Sequence, residues 1–341
     1  MPRLRISASE IAGIGKIGRD LRAYMLGRPE FTYTDINKDS WLDPIGRDYY
    51  LDRKALYFSP SDQHGIPIVV RGSREAPFYR PTRVASFGLA NWNRYRQHGD
   101  ESCRAAFIKC AEWFMKFEEG RFVYRYDLLD MKGPWLAGIA QGQGISLLTR
   151  AYLLTNNAGF LTQAQKALVP LSTPLSEGGL VSRLPDGSLF IEEYPQNHPT
   201  HILNGYFAAI FGISDLHRVQ SSPQTSALLN SCWNTLVANI GKWNVAGWST
   251  YDLHNWDGGG PRNHATVAYH SLHIAQVKYA FALTGEHCFA TQAEEWERSL
   301  KSARRRLRAL AGKSYYRYQH PNLVVSVVSG THKTGPVRPY P

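Results

Sequence analysis

The sequence contains no apolar run long enough to cross a bilayer, and its first thirty residues are charged, without a secretory h-region. These absences argue against a membrane-spanning or signal-directed protein. We therefore expect a soluble protein that is cytoplasmic or peripherally associated with a membrane. Disorder is not expected either, because 43% of residues are apolar and 12% are aromatic, and both kinds are spread along the chain.

Cysteine is scarce and scattered. The chain has four cysteines, Cys103, Cys110, Cys232 and Cys288, and they do not follow metal-ligand spacing. Cys103 and Cys110 lie in a helical pattern, roughly 10 Å apart along the axis, which is too far for a disulfide. With no cysteine pair at metal-ligand spacing and no bridge between these two, a reducing compartment fits best.

Acidic residues are outnumbered. There are 39 Lys and Arg against 28 Asp and Glu, which gives a formal net charge of +11 and a sequence pI of about 9.5. Such an excess attracts polyanions generally, so nucleic acid, acidic membrane and acidic polysaccharide are all admissible partners. Charge alone does not choose among them.

Helical periodicity dominates the chain after residue 80, and 341 residues are enough for one large domain with a smaller module. Eight helices in four consecutive pairs indicate helical hairpins that form an (α/α) barrel or toroid. The predicted helices cover residues 84–98, 101–118, 137–155, 159–172, 200–219, 224–240, 264–284 and 288–311.

The remaining regions are β-like or loop-like. Residues 1–80 predict a small β-rich region with short strands at Tyr49–Leu51 and Ile66–Val70, and residues 81–312 predict the barrel. Residues 313–341 predict a terminal strand or tail. Within the barrel, "LVSRLPDGSLFIEEYP" (180–195) predicts an inserted β-hairpin, and "WNVAGWSTYDLHNWDGGGPRN" (243–263) predicts a loop with a short extended element.

Three motifs carry little weight. "GIGKIG" (13–18) matches a dinucleotide-binding spacing, but no buried strand precedes it. His270 and His273 share a helix face, yet they have no third ligand, so we expect no transition-metal site. The basic run 297–308 is best explained as a solvated helix face, with a rim for a polyanion second, and no aromatics alternate with it as nucleic-acid binding would favour.

A polar-aromatic cluster stands at the end of the predicted hairpin. In "EEYP", Pro195 stops the strand, but strand alternation does not explain why Glu193 and Tyr194 stand where a hairpin meets a barrel helix. Similar clusters occur at "STYDLHNW" and at Tyr269-His270. Because each falls at an insertion or a helix end, we expect them to share a pocket.

These motifs resemble a known family. "FYRPTRVASFGLANW" (78–92), "AQGQGISLLTRAYLLT" (140–155), "EEYP" with "LNGYFAAIFGISDL", "TYDL" and "YHSLHIAQ" follow one another as in the D-glucuronyl C5-epimerases of heparan sulfate and heparosan biosynthesis. The resemblance covers roughly residues 79–310. It implies an N-terminal β region, an (α/α) barrel, a homodimer, and epimerisation of D-glucuronate to L-iduronate within a polysaccharide without nicotinamide.

The resemblance also implies site residues. Glu193, Tyr194, Tyr251 and Tyr269 match the family's functional positions and are expected to be catalytic. Vertebrate members carry an arginine after Tyr-Asp-Leu where this chain has His254, so the sulfation preference is open. Expected substrate contacts are His254, His270, Gln141, Asn204, Tyr79, Arg80 and Trp135. No cofactor is required, although a structural calcium is compatible with the sequence because it needs no motif.

Two other functions are consistent with the same residues. Expulsion of the 4-O-linked sugar from the C5 carbanion would make the protein a polysaccharide lyase. A non-catalytic binder of acidic glycans would use the aromatics for stacking and the basic surface for affinity. We rank these after the epimerase.

Overall fold

The computed structural model describes residues 21–28, 48–51, 58–70 and 77–320. Helices dominate these residues, and residues 21–26 form a helical turn before the main array. The helices are α1 Pro81–His98, α2 Glu101–Phe114, α3 Gly138–Thr155, α4 Ala158–Ser172, α5 Leu203–Val219, α6 Pro223–Asn239, α7 Val267–Thr284, α8 His287–Lys301 and α9 Ala303–Gln319.

Helices α1 to α8 form four consecutive hairpins. In each hairpin the first helix packs toward the interior, and α1, α3, α5 and α7 contact one another in sequence order. Nearly every residue of α3 and α5 up to its last turn is buried, as expected for helices covered on all sides. The predicted mainly α fold, an (α/α) toroid with an inserted β-hairpin, is confirmed.

Local signals explain most helix starts. Asp100, Asn157 and Thr266 accept backbone N–H groups at the starts of α2, α4 and α7. Ser222 and Thr225 form a reciprocal capping box at the start of α6. These side chains satisfy donors that the first helical turn leaves without partners.

Ser302 overturns one predicted helix. The expected helix 288–311 is broken there, since Ser302 has extended backbone angles and its hydroxyl accepts the N–H of Arg305 to begin α9. The predicted boundary at residue 312 falls inside α9. Residues 313–319 are therefore helical and not a terminal strand, and residues 321–341 lie outside the described part of the chain.

The N-terminal β prediction is only partly visible. Isolated bridges join Ser61 to Pro67 and Val69 to Phe78, but Tyr49–Leu51 is not a strand. Instead, the Asn93 side chain accepts the N–H of Tyr49 and donates to its carbonyl, over 2.7 and 2.8 Å. Most of the predicted region 1–80 lies outside the described residues.

The predicted hairpin is present. Strands β1 Val181–Arg183 and β2 Leu189–Ile191 are antiparallel, with Ser182 opposite Phe190. Their turn uses Gly187 at φ 83°, a left-handed conformation that glycine adopts without strain. The 243–263 segment contains β3 Asn244–Val245 paired with β4 Trp248–Ser249, which fits the predicted short extended element.

Helices α3 and α5 approach closely because glycines face each other. A Cβ on Gly142 would collide with the backbone of Ala208, and one on Gly212 would collide with the backbone of Gly142. A buried ion pair joins the same helices, with Arg150 Nη1 2.6 Å from Asp215 Oδ2 and Ser146 Oγ donating to that oxygen over 2.7 Å. The two inner helices are thus held at short range by shape and by charge.

Within the described residues, none of the helices combines the length and apolar character needed to cross a bilayer.

The glycine contact between α3 and α5 is testable. We expect Gly142→Ala to lower the free energy of unfolding by about 3 kcal/mol, because the added methyl group meets backbone that cannot move aside. Urea denaturation would measure the change. Gly241→Ala is the matched control, since its Cβ would meet nothing within 4 Å. Equal stability of the two variants would contradict the close packing.

Candidate active site

The hairpin delivers Glu193 to the junction of the inner helices α3 and α5. The N–H of Gly138, at the start of α3, lies within hydrogen-bonding distance of the Glu192 and Glu193 carbonyls, at 3.2 and 3.1 Å. A Cβ on Gly205, in α5, would lie 2.5 Å from the Glu193 Cβ. Asn204 Nδ2 donates to Glu193 Oε2 over 2.9 Å. Only 4% of Glu193 is exposed, so the carboxyl group is set into the helix junction.

The adjacent Glu192 has a different environment. It is fully buried, and Ser182 Oγ donates to its Oε1 over 2.6 Å. His201 contacts the same carboxyl group twice, with Nδ1 2.6 Å from Oε1 and its backbone N–H 3.1 Å from Oε2. His201 has φ 56°, an uncommon conformation for a non-glycine residue. Glu192 therefore ties the hairpin to the loop that leads into α5.

The pKa of Glu193 is raised to about 7. Burial is the main cause, because it removes water from the charged form, and the negative charge of Glu192 adds to the effect. Hydrogen bonds from Tyr194 and Asn204 act in the opposite direction. A carboxyl group with this pKa can both accept and release a proton near neutral pH.

Three tyrosines surround Glu193. The rings of Tyr251 and Tyr269 meet edge to face, with centroids 4.8 Å apart. Burial raises the pKa of both Tyr194 and Tyr251 well above its usual value, and the charges of Glu193 and Tyr269 raise it further. These mutual effects indicate that the four polar groups lie close together. Tyr269 is 39% exposed, so the cluster opens to solvent on that side.

Backbone contacts hold the tyrosines in place. The N–H of Tyr251 donates to the carbonyl of Asn263, and its carbonyl accepts the N–H of Leu203 at the start of α5. Tyr269 lies in the first turn of α7, whose N-cap is Thr266. The hairpin end, the starts of α5 and α7, and the segment after β4 therefore meet at one place. The structure brings together all four residues predicted to be catalytic.

An aromatic wall extends from Tyr194. We use this name for Tyr124, Tyr126, Trp135 and Tyr194. Trp135 lies against Tyr194 with ring centroids 5.8 Å apart and stacks on Tyr124 at 4.2 Å. Arg80 lies over the ring of Tyr126 at 5.7 Å. Of the predicted substrate contacts, Arg80 thus lies beside this cluster, whereas Trp135 is only 5% exposed and belongs to its buried core.

Tyr79 points elsewhere. Its hydroxyl donates to Asp62 Oδ2 over 2.6 Å, and its ring packs near Trp113 with centroids 5.7 Å apart. The hydrogen bond with Asp62 contributes to raising the pKa of Tyr79 to about 12, behind the effect of burial. Tyr79 therefore anchors the segment that carries Arg80.

Gln141 and His270 are used inside the protein. Gln141 is fully buried; it accepts the N–H of Phe122 and donates to two backbone carbonyls. His270 is also fully buried, with Nδ1 accepting the N–H of Ser249 and Nε2 lying 3.1 Å from the carbonyl of Trp296. Because their polar atoms are occupied, we leave both out of the substrate-binding set. Their local role is to hold loops against α3 and α7.

A cation that was not predicted from the sequence lies near Tyr251. Lys313, from α9, lies with Nζ 5.8 Å from the ring centroid of Tyr251 and donates to Asn263 Oδ1 over 2.6 Å. His254 lies near Tyr316 and His320, with centroids 6.0 and 5.1 Å away. Helical spacing of Lys313, Tyr316 and His320 would have placed them on one face, had residues 313–320 been predicted as helix.

Metal ligands are not clustered in the described ranges. No group of three or more His, Cys, Asp or Glu side chains that could hold a metal ion occurs there. Both His270 Nδ1 and His273 Nδ1 lie within 2.9 Å of the Ser249 hydroxyl, which links the two rings. The compatibility with a structural calcium stays a prediction.

Comparison with known proteins identifies relatives. A family model described as "D-glucuronyl C5-epimerase C-terminus" matches residues 112–298. A D-glucuronyl C5-epimerase of Caenorhabditis elegans is 25% identical, and the match covers 56% of this chain and 34% of that protein. An uncharacterized protein of Methanocaldococcus jannaschii is 21% identical, with 52% of this chain and 56% of that protein covered. The matched region thus spans about a third of one relative's length and just over half of the other's.

Solved structures show only limited similarity to this chain. An unsaturated glucuronyl hydrolase from Streptococcus agalactiae is 19% identical with a TM-score of 0.46, covering 65% of this chain and 59% of that one. A polysaccharide lyase is 11% identical with a TM-score of 0.46, covering 87% and 84%. At this level of similarity, these structures do not indicate a reaction for this chain.

The burial of Glu193 predicts a pH-dependent effect on stability. Its folded pKa of about 7 exceeds the ordinary value of 4.5, so the carboxyl group favours the folded state least when it is ionised. Wild type should lose up to about 3 kcal/mol from this group as the pH rises from about 4.5 through 7. We therefore expect Glu193→Gln to be more stable than wild type by about that amount at pH 8.5 and to lose this advantage at pH 4.5.

Chemical denaturation at the two pH values would measure this difference. Glu112→Gln, on the exposed face of α2, is the matched control and should change stability by less than about 0.5 kcal/mol. A Glu193→Gln variant that is no more stable than wild type at pH 8.5 would show that the carboxyl group is solvated.

Proposed function

The chain belongs to the D-glucuronyl C5-epimerase family, and from this premise we propose that it converts D-glucuronate to L-iduronate within a heparosan-like polysaccharide. The observation that carries the proposal is the meeting of one buried carboxyl group of pKa about 7 with Tyr194, Tyr251 and Tyr269 at an opening to solvent. Epimerisation needs such a set, because one proton must leave C5 and another must arrive on the opposite face.

Glu193 is the proposed base. Above pH 7 it is a carboxylate, and it takes the C5 proton of glucuronate while the electron pair moves into the neighbouring carboxyl group to give an enediolate. Tyr269 is the proposed acid on the other face. Its O–H gives a proton to C5, the enediolate collapses to the carboxylate, and the phenolate is reprotonated from solvent, which reaches Tyr269. Glu193 in turn releases the proton that it took from C5 to solvent before the next turnover.

The enediolate carries an extra negative charge that must be stabilised. Tyr194 and Tyr251 have raised pKa values, so their hydroxyls stay protonated and can donate to the substrate carboxylate. His254 stands at the position where vertebrate members of the family carry an arginine. Lys313 supplies a cation near Tyr251, so the proposed carboxylate site combines two hydroxyls, the His254 ring and the charge of Lys313.

The other parts of the proposal come from family membership. We propose that the protein works as a homodimer, without nicotinamide or another required cofactor, on a glucuronate-containing acidic polysaccharide rather than on nucleic acid. Asn204 belongs to the catalytic centre through its hydrogen bond with Glu193.

A polysaccharide lyase is the second candidate, because Glu193 would serve as its base too. The two reactions diverge after the carbanion forms: reprotonation preserves the chain, whereas expulsion of the 4-O-linked sugar cuts it and leaves an unsaturated uronate. A non-catalytic binder would leave C5 untouched.

Incubation with heparosan in heavy water tests the proposal. NMR of the uronate residues should show deuterium at C5 and a growing iduronate fraction, while the chain length stays constant. We expect Glu193→Gln and Tyr269→Phe each to lower the exchange rate at least about 100-fold, since each removes an acid or base. Tyr318→Phe is the matched control, because Tyr318 is 79% exposed.

Unsaturated, ultraviolet-absorbing products and shorter chains would indicate a lyase. Binding without exchange would leave only the glycan binder. If exchange occurs at the wild-type rate in both Glu193→Gln and Tyr269→Phe, the assignment of acid and base is wrong.

The same assay predicts a pH profile. The exchange rate for glucuronate should rise as the pH increases through about 7, because the base must be ionised and burial places its pKa there. Initial rates measured from pH 5 to 9 would locate this limb. A limb near pH 4.5, the ordinary value for a glutamate, would contradict a buried base.

A further inference from the structure

Among the described residues, Arg80 is a cation that lies against aromatic rings and has no acidic partner. Its guanidinium lies 5.6 Å from the ring centroid of Phe78 and 5.7 Å from that of Tyr126. Its Nε atom is buried and has no hydrogen-bond partner, and no carboxylate of the described residues forms an ion pair with it. The two aromatic rings stabilise this partly buried cation only in part, because no carboxylate of the described residues neutralises it, and this leaves the guanidinium able to bind an anion.

The position of Arg80 is fixed. Its carbonyl accepts the N–H groups of Arg83 and Val84 over 2.8 and 3.1 Å, which sets the start of α1. Thr82, two residues on, is bonded to the hydroxyl of Tyr124 in the aromatic wall over 3.0 Å. The backbone therefore holds the guanidinium beside the wall without any bond from the guanidinium itself.

The aromatic wall connects Arg80 to the catalytic centre. From Tyr126, under Arg80, the wall continues to Trp135 with centroids 5.7 Å apart, and from Trp135 to Tyr194 at 5.8 Å. Trp135 Nε1 also donates to the Tyr126 carbonyl over 2.6 Å. Two aromatic residues thus separate Arg80 from Tyr194, so its charge lies close to the catalytic centre but apart from the reacting sugar.

We propose that Arg80 forms a second anion subsite, which binds a charged group on a sugar neighbouring the one that reacts. The inference rests on the proposed function, because only a polymeric acidic substrate would reach both Glu193 and Arg80. The planar guanidinium binds carboxylates and sulfates in the same bidentate way, and the neighbouring Tyr126 ring is partly exposed, whereas Tyr124 and Trp135 are buried behind it. The ligand is therefore a carboxylate or an N-sulfate on the same chain.

The test compares wild type, Arg80→Gln and Arg80→Lys on heparosan oligosaccharides of increasing length. KM from the deuterium-exchange assay and Kd from calorimetry should rise about tenfold in Arg80→Gln for the long oligosaccharides, and kcat should fall much less than KM rises. For the shortest oligosaccharides the effect on KM should disappear, because no charged group reaches Arg80. Arg80→Lys should lie between the two, since it keeps the charge and loses the planar fork.

Lys132→Gln is the matched control. Lys132 is a cation of the same segment as Trp135, but its side chain is 83% exposed and paired with Asp127, so its loss should leave KM as in wild type. Long N-sulfated and unsulfated heparosan separate the two ligands: a larger penalty on the sulfated polymer assigns the sulfate, and equal penalties assign the carboxylate.

The outcomes separate the subsite from the function. If the Arg80→Gln variant binds long oligosaccharides as wild type does, or loses kcat equally at every length, the subsite is wrong even though exchange proceeds. If wild type exchanges no C5 proton in any polymer but Arg80→Gln still weakens polymer binding about tenfold, the proposed epimerisation fails and the anion subsite stands.

Discussion

The close packing of Glu192 and Glu193 against two glycines is the constraint on which the site depends. Gly138 and Gly205 leave no room for a side chain where the end of the hairpin rests on α3 and α5. Because the backbone comes this close, the Glu193 carboxyl group lies in the helix junction rather than in water. Its raised pKa, its bond to Asn204 and its proximity to the three tyrosines all follow from this placement.

The rest of the architecture serves that contact. The Arg150–Asp215 pair and the facing glycines Gly142 and Gly212 keep α3 and α5 together, so the junction that receives the hairpin keeps its shape. Glu192 turns its own carboxyl group away and fastens the loop that leads to Asn204. The two neighbouring glutamates thus have different roles: Glu192 stabilises the loop before α5, and Glu193 is the proposed base.

The sequence was sufficient for whatever depends on local patterns. The eight barrel helices, the hairpin and the meeting of Glu193, Tyr194, Tyr251 and Tyr269 follow from periodicity, turn residues and motif resemblance. It was insufficient where contacts between residues distant in sequence determine the role of a side chain. The Asn93 side chain takes the place of a strand partner for Tyr49. Gln141 and His270 form hydrogen bonds with backbone groups that are distant in sequence. Lys313 was missed because Ser302 starts a new helix that a β-like composition concealed.

A crystal structure with a bound heparosan oligosaccharide would test most directly whether Glu193 is the base. We expect C5 of one uronate to lie between the Glu193 carboxyl group and the Tyr269 hydroxyl, on opposite faces of the sugar, each within about 3.5 Å of C5. Its carboxylate should face Tyr194 and Tyr251. A uronate whose C5 has Glu193 and Tyr269 on the same face, or one bound away from Glu193, would contradict the central claim that the hairpin positions this carboxyl group as the base.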